Sequence, residues 1–440
     1  MTYIEFYTDN HIENVCSALI RKPDRIIYVC RSRSARVKAA LAAYRDFFRA
    51  RGEDIEIVSF CATPYSFEKL INKFTQIACG NDEVVFDLSG GDNVYAAAAA
   101  TVCERLRDRN IQMHRYYVEN GIMVDCDLDG NTIMGNRLPE ITCAENLNIY
   151  GARIIEQAPK AGSIDPNKAG YSREVLEKLW KIAGGRPKDW NLFTAILNKA
   201  DRGVDRSGSR YSCSDKKMLT GEEIRVLEFF TAKLAKEGFM ENVTSGTLLR
   251  STWTDDTVDY CLSKQGNLLE MYIYDRAKHL VVNGSQVFTD AMTGVMIDAD
   301  KAGTEGSGAP ENEIDVLLQN GLKPVFISCK NGQTDSDEVY KVKSVSRRFG
   351  GVFAASALVI NFNPGEQVAE SLRRRCRLLK VTLIETYELS GRKLDNLLAG
   401  LAGSAGPARS IGPARSAESA RSAESAGSEG SAGSAGSARG

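Results

Sequence analysis

Short apolar runs alternate with longer amphipathic stretches from the first residues of the chain onward. The runs Tyr3–Thr8, Arg25–Cys30, Ile55–Phe60, Glu83–Ser89 and Gln112–Glu119 are rich in β-branched and aromatic residues and predict strands. Between them, Ala35–Arg51, Ser66–Cys79 and Asn93–Arg109 carry helical patterns, and a further helix is expected between the first two strands. Ile26-Ile27-Tyr28-Val29 and Val84-Val85-Phe86 are apolar without alternation, as parallel strands covered by helices on both faces would be. The repeat predicts a Rossmann-like α/β sheet over residues 1–150.

After Ile149 the rhythm stops. Ala158–Pro166 has the Pro, Gly and polar mix of a connection, so 151–170 is expected to be a linker. The stretch 171–262 holds a helix (Arg173–Ala183), a polar run (Lys199–Lys217), an amphipathic helix (Glu222–Glu237) and a Gly-containing β-like segment (Phe239–Trp253). Either a winged-helix-like insert or a supporting subdomain fits it. From 263 to 400 the pattern becomes helix (Gly266–Lys278), strands (Gln286–Asp298, Glu313–Gln319, Pro324–Cys329), helix (Asp335–Phe349), strand (Ala357–Phe362), helix (Glu366–Arg377) and strand (Lys380–Thr386), a mixed α/β domain. Residues 401–440 are Gly, Ser and Ala repeats dotted with Arg and Glu, too poor in apolar groups to form a core.

Composition narrows the chemistry. At 440 residues, with 43% hydrophobic and 26% charged positions, the chain suits two or three soluble domains. No apolar run approaches the roughly 20 residues of a membrane span. Met1–Glu5 lacks the pattern of a secretory signal, so a cytoplasmic location is expected. Eleven cysteines without a CxxC pair read as reduced, mostly buried thiols, and three histidines leave little room for a His-rich zinc site. Because the net charge is only −1, a nucleic-acid contact needs a local basic patch, and Arg347, Arg348, Arg373, Arg374, Arg375, Arg377 and Lys380 gather in one domain. Backbone phosphates or plain solvent are the two readings of that group.

Two strands carry the candidate chemistry. Asp315 interrupts the apolar strand Glu313-Ile314-Asp315-Val316-Leu317-Leu318, and Lys330 ends the buried run Pro324-Val325-Phe326-Ile327-Ser328-Cys329-Lys330. Their adjacency would place a carboxylate and an ammonium near one sheet edge. Phosphodiester hydrolysis needs a hard oxygen ligand for Mg²⁺ or Mn²⁺ and gains from a cation that orients water and offsets developing charge. The spacing resembles the D-x(n)-(D/E)-x-K signature of PD-(D/E)xK nucleases, with Ser328 where an acidic residue usually sits. Glu270 in the preceding helix, Glu338 in the following one, or the Cys329 carbonyl could complete the ligand set. The competing readings are an edge ion pair and a Ser328 or Cys329 nucleophile, for which no partner histidine is near in sequence.

Residues just after parallel strands are where open α/β sheets bind ligands. Here these are Thr8-Asp9-Asn10-His11, Arg31-Ser32-Arg33-Ser34 and Ser89-Gly90-Gly91-Asp92-Asn93. Neither a GxGxxG fingerprint nor a Walker A sequence occurs, which removes the usual dinucleotide and nucleoside-triphosphatase readings. Paired glycines admit close backbone approach, whereas the Asp92 carboxylate suits a helix cap better than a phosphate cradle. His11 reads as a loop residue.

The Ser89–Asn93 segment looks like the (S/T)GG loop of CARF domains. With Asp315 and Ser328-Cys329-Lys330 behind it, the chain resembles CRISPR ancillary nucleases that join one CARF domain to one restriction-endonuclease-like, PD-(D/E)xK domain, over roughly residues 1–400. That resemblance implies a homodimer activated by a cyclic oligoadenylate, usually cyclic tetra-adenylate, bound through Thr8, Asp9, Asn10, Arg31, Ser32, Arg33, Ser89, Gly90, Gly91, Asp92 and Asn93. It also implies metal-dependent cleavage of DNA, RNA or both; the candidate catalytic residues are Asp315, Ser328, Lys330, Glu270 and Glu338, and the candidate metal ligands are Asp315, helped by Glu270 or Glu338, and the Cys329 carbonyl. Two alternatives are a CARF-linked winged-helix transcription regulator, and a sensor that degrades its own ligand, for which no general base near Ser89 is evident in the sequence.

Overall fold

The structure is a computed structural model that describes residues 1–63, 66–118, 122–125, 139–155, 165–298, 312–332, 334, 336–362 and 365–403. The middle of the expected linker (156–164), the tail from 404 and Cys126 lie outside the described residues. No described helix is long and apolar enough to cross a membrane.

The N-terminal repeat closes into a single sheet. β1 (Thr2–Phe6), β2 (Arg25–Cys30), β3 (Glu56–Cys61), β4 (Val84–Asp87) and β5 (Ile111–Tyr117) are parallel, in the order β3-β2-β1-β4-β5. Helices α1 (Cys16–Arg21), α2 (Ala35–Ala50), α3 (Phe67–Cys79) and α4 (Asn93–Arg105) connect them. Two apolar clusters form, one with Tyr28, Tyr44 and Phe47 and the other with Phe6, Phe74 and Phe86, so both faces are covered and the non-alternating strands are explained. The expected Rossmann-like sheet is present. It has one strand more than the repeat predicts, β6 (Ile122–Asp125), antiparallel to β5, because four residues are too few to show a pattern.

Next comes α5 (Cys143–Ile149), capped by Thr142 and Glu145, and then β7 (Arg153–Ile154). The stretch from 165 to 263 forms α6 (Arg173–Ala183), α7 (Pro187–Lys199), β8 (Asp201–Val204), β9 (Arg210–Asp215), α8 (Gly221–Lys236), β10 (Glu241–Ser245), β11 (Leu248–Trp253) and α9 (Asp256–Ser263). Its four strands make an antiparallel sheet, β10-β11-β9-β8, and the polar run Lys199–Lys217 therefore contains two strands.

The last part contains α10 (Asn267–Lys278), a small hairpin of β12 (Val281–Val282) and β13 (Ser285–Gln286), then β14 (Asp290–Asp298), β15 (Asn312–Asn320), β16 (Lys323–Lys330), α11 (Asp337–Gly350), β17 (Ala355–Ile360), α12 (Glu366–Leu379), β18 (Thr382–Ile384) and α13 (Gly391–Leu401). The sheet order is β18-β17-β16-β15-β14-β7, antiparallel from β7 to β16 and parallel from β16 to β18. A mixed sheet was expected, and the edge strand contributed by Arg153–Ile154 was not. Trp190, Phe193 and Phe230 share one apolar cluster with Leu269 and Ile327, so the α6–α9 region continues the core beneath this sheet.

Candidate functional site

β15 and β16 are joined by a tight turn and pair Val316 with Ile327. Their far ends therefore emerge together, and Asp315 lies beside Ser328 and Lys330. The Asp315 Oδ2 accepts hydrogen bonds from the Ser328 hydroxyl at 3.1 Å and the Cys329 amide at 2.6 Å, and it stands 3.9 Å from Lys330 Nζ. α11 adds Glu338, whose carboxylate is 3.2 Å from Lys330 Nζ and 2.6 Å from Lys341 Nζ. α10 brings Glu270. One carboxylate oxygen from each of Glu270, Glu313 and Asp315 lies within 4.8 Å of the others, and the cavity in front of these strands measures about 410 Å³.

The electrostatics of the group are those of a site short of positive charge. Glu270 is 4% exposed, and its carboxylate has no hydrogen-bond or salt-bridge partner among the described residues. Burial, then the neighbouring Asp315, push its carboxyl up from the ordinary range to about 8. Burial also raises Asp315, against the opposing pull of Lys330 and the Cys329 amide. Burial would lower Lys330, but Asp315 and Glu338 hold its ammonium above the usual value. Glu338 is held below the carboxylate range despite partial burial, because Lys341 and Lys330 stabilise its charge. Three hard oxygen donors, one of them from a buried, unpartnered carboxylate, suit Mg²⁺ or Mn²⁺ in donor type and in charge.

Glu313 is missing from the residues singled out by motif. Its signal is the spacing Glu313-x-Asp315: strand side chains repeat every two residues, so both carboxylates share a face. Lys264 pairs with Glu313 and adds a second ammonium next to the cluster. Cys329 is 5% exposed within the apolar cluster below the sheet, and burial lifts its thiol far above the ordinary value. A thiol so placed is no nucleophile.

The reversal of strand order between β1 and β4 opens the first sheet at its carboxyl end. All three loops singled out from the sequence meet there. A Cβ on Gly90 would lie 2.7 Å from Thr8 Cγ2, and one on Gly91, at φ +86°, 2.2 Å from Phe6 Cβ, so neither position admits a side chain. Arg31 pairs with Asp92, Arg36 lies 3.4 Å from Asp9, and Ser32 and Arg33 are exposed. Asp92 caps α4 by accepting from the Val94 amide at 2.9 Å, and Asn93 is the first residue of that helix. The loop after β1 is braced internally: Asn14 accepts from the Thr8 amide at 2.9 Å, and Asn10 lies 3.4 Å from the Tyr150 hydroxyl. His11 is a loop residue, 2.6 Å from the Tyr44 hydroxyl.

Ser89 is placed otherwise than its loop position implies. Its hydroxyl is turned inward, donating to Asp87, facing Ser17 Oγ at 3.3 Å and accepting from the Tyr116 amide at 2.8 Å. Asp87 is fully buried, with His114 Nε2 3.4 Å away. Carboxylate and imidazole, not visible as partners in the sequence, thus stand behind Ser89 as a buried network that ties β4 to β5 and α1.

The chain shares its fold with two solved proteins. Protein VC1899 from Vibrio cholerae superposes with a TM-score of 0.68 at 17% identity, covering 92% of this chain and 98% of that one. Can2 from Sulfobacillus thermosulfidooxidans, solved in complex with cyclic tetra-adenylate, gives a TM-score of 0.62 at 16% identity, covering 91% of this chain and 97% of that one. The likeness extends over both sheets and is one of fold. No family model and no curated protein matches the sequence.

The arginine-rich group divides. Arg373 pairs with Glu385 at 2.8 Å and with Glu366, and Arg377 pairs with Glu370 at 3.0 Å, so both are neutralised within the chain. Arg347, Arg348, Arg374, Arg375 and Lys380 form no salt bridge among the described residues.

Proposed function

We propose that the chain is a metal-dependent nuclease of CRISPR defence, switched on by a cyclic oligoadenylate held at the carboxyl end of the first sheet. The observation that carries the reading is the convergence of the Glu270, Glu313 and Asp315 carboxylates where Glu313, Asp315, Lys330 and Glu338 line one cavity. Glu270, Glu313 and Asp315 would hold Mg²⁺ or Mn²⁺, which when bound supplies positive charge against the scissile phosphate. Lys330 orients the attacking water and offsets the charge that develops on the phosphoryl oxygens. Glu338, bonded to Lys330, fixes the ammonium in place. Ser328 supplies no charge, and its hydroxyl helps orient Asp315. The fold of Can2, a protein solved with cyclic tetra-adenylate, supports placing that activator on the loops Thr8–Asn10, Arg31–Arg33 and Ser89–Asn93. The ring repeats a single unit around its axis, so a pair of chains related by a two-fold axis is its natural receptor, and a homodimer follows. The activator shifts the dimer toward its cutting form by differential affinity.

The test is cleavage of labelled DNA and RNA by the full chain with Mn²⁺ or Mg²⁺ and cyclic tri-, tetra- or hexa-adenylate added separately. Scission that requires both metal and one ring size, and that Lys330→Ala abolishes while ring binding persists, is expected. Cleavage retained by Lys330→Ala, or none under any combination, would sink the reading.

A further inference from the structure

Beside the catalytic cavity, the outer face of α11 carries a second, open cleft of about 400 Å³ lined by Tyr340, Lys343, Ser344, Arg347 and Arg348, and Arg375 of α12 lies against the Tyr340 ring. Ser344 also lines the catalytic cavity, so the two recesses adjoin. We propose that this cleft holds an unpaired nucleic-acid strand running to the catalytic cavity, with Tyr340 as a stacking platform for one base and Lys343, Arg347, Arg375 and Lys380 as phosphate contacts. The inference rests on the nuclease reading above and adds to it the face on which the substrate lies and the form it takes.

Three observations carry it. First, the cations are gathered without anions: Lys343, Arg347, Arg375 and Lys380 form no salt bridge among the described residues, whereas Arg373 and Arg377 on the same α12 are consumed by Glu366, Glu370 and Glu385. Burial, and then the charges of Arg347 and Lys380, lower the Lys343 ammonium from its usual value, as expected where like charges stand close to it. A polyanion relieves that repulsion, and counterions released from its phosphates add to the gain. Second, Tyr340 is 50% exposed at the cleft, and the Arg375 guanidinium lies 5.3 Å from its ring centroid. A large half-exposed ring already paired with a guanidinium offers a face to any base. Third, that face selects strand form. Bases in a duplex are stacked on one another and have no free face, so a stacking platform suits an unpaired strand.

Binding is tested apart from cutting, in the full-length Lys330→Ala chain with and without cyclic tetra-adenylate. The probes are fluorescein-labelled 12-mers of oligothymidine and oligouridine and a 12-base-pair duplex, read by anisotropy across a salt series. Both single strands are expected to bind at least about tenfold tighter than the duplex, and Tyr340→Ala to weaken them by about tenfold with Tyr340→Phe near the parent. The combined Lys343→Ala, Arg347→Ala, Arg375→Ala variant should flatten the salt slope by about 2, at roughly 0.7 per lost phosphate contact on a single strand. Tyr340, Lys343 and Arg347 line the cleft and Arg375 lies against the Tyr340 ring; unchanged thermal midpoints verify folding. Equal binding of duplex and single strands, a silent Tyr340→Ala, or an unchanged salt slope would overturn the proposal. Absence of cleavage by the wild-type chain would instead strike the nuclease reading and leave these binding contrasts to be read on their own.

Discussion

Ser328 stands where the strand-end signature calls for a carboxylate, and it hydrogen-bonds Asp315 instead of offering charge. Glu313, two residues before Asp315 on the same strand, brings a carboxylate within 4.8 Å of those of Asp315 and Glu270. If it takes over the missing ligand's part, Glu313→Gln should lower Mn²⁺ affinity by about tenfold or more, on the scale at which even outer partners of a metal site act. Ser328→Glu placed on that background should recover most of the loss. Electron paramagnetic titration of Mn²⁺ reads both, and an unaltered affinity in Glu313→Gln excludes it as a ligand. A different residue governs acid sensitivity. Burial, and then Arg36, lower the His11 imidazole from 6.5 to about 4. Between these values the unfolded chain binds a proton that the folded chain refuses, so stability contributed by neutral His11 is complete above about 6.5 and is lost as pH falls toward 4. Thermal midpoints measured from pH 7 to pH 4 should fall less steeply for His11→Gln than for the parent; parallel curves would contradict this.

At the scale of elements, α11 runs from the carboxylate cluster to the loop after β1. Its first turn carries Glu338 against Lys330, and its 14 residues span about 21 Å to the other end. There Phe349 accepts from the buried Asn146 side chain at 2.8 Å, and Gly351 caps the helix at φ +66°. A Cβ on Gly351 would lie 2.4 Å from the Tyr150 hydroxyl and 2.5 Å from Asn10 Oδ1, so the helix end presses on the loop after β1. Were the proposed activator to displace that loop, a rigid helix so held would pass the movement to Glu338 and Lys330. Gly351→Ala should therefore cost about 1–3 kcal/mol of stability by overpacking and reduce the ratio of cleavage with cyclic tetra-adenylate to cleavage without it. Denaturant unfolding and paired cleavage assays check the two parts, and an unchanged ratio would remove the contact from the coupling. Much of the element pattern was legible beforehand: β2 spans the run Arg25–Cys30 read from sequence, and Asp92 caps α4 as its side chain implies. Short elements were not. α5 announces itself only by Thr142-x-x-Glu145, and the two-residue β7 has no pattern of its own and exists because β14 offers it an edge.

On the scale of the whole molecule, the two α/β sheets are locked together rather than strung apart. Leu322, in the turn between β15 and β16, lies in the apolar cluster of the first sheet with Tyr28 and Phe47, while Cys143 and Leu147 of α5 pack in the cluster of the mixed sheet with Phe326 and Phe349. Activation by domain separation would have to break this core, so the proposed switch leaves the two sheets of a chain joined. Calorimetric titration should give one cyclic tetra-adenylate per two chains and sedimentation a dimer; one ring per monomer would exclude the two-fold site. What the sequence determined by itself is local: strand and helix rhythm, the loops that follow parallel strands, and an acid and an ammonium at the ends of two neighbouring strands. Periodicity states which face a side chain occupies, and that information lies within a few residues. Only the tertiary structure decided that Glu270 and Glu313 converge on Asp315, that Ser89 points inward to Asp87, and that Arg373 and Arg377 are neutralised while Lys343 and Arg347 are not. Each of these is a distance between side chains brought together by folding, and charge acts through distance in space, not position along the chain.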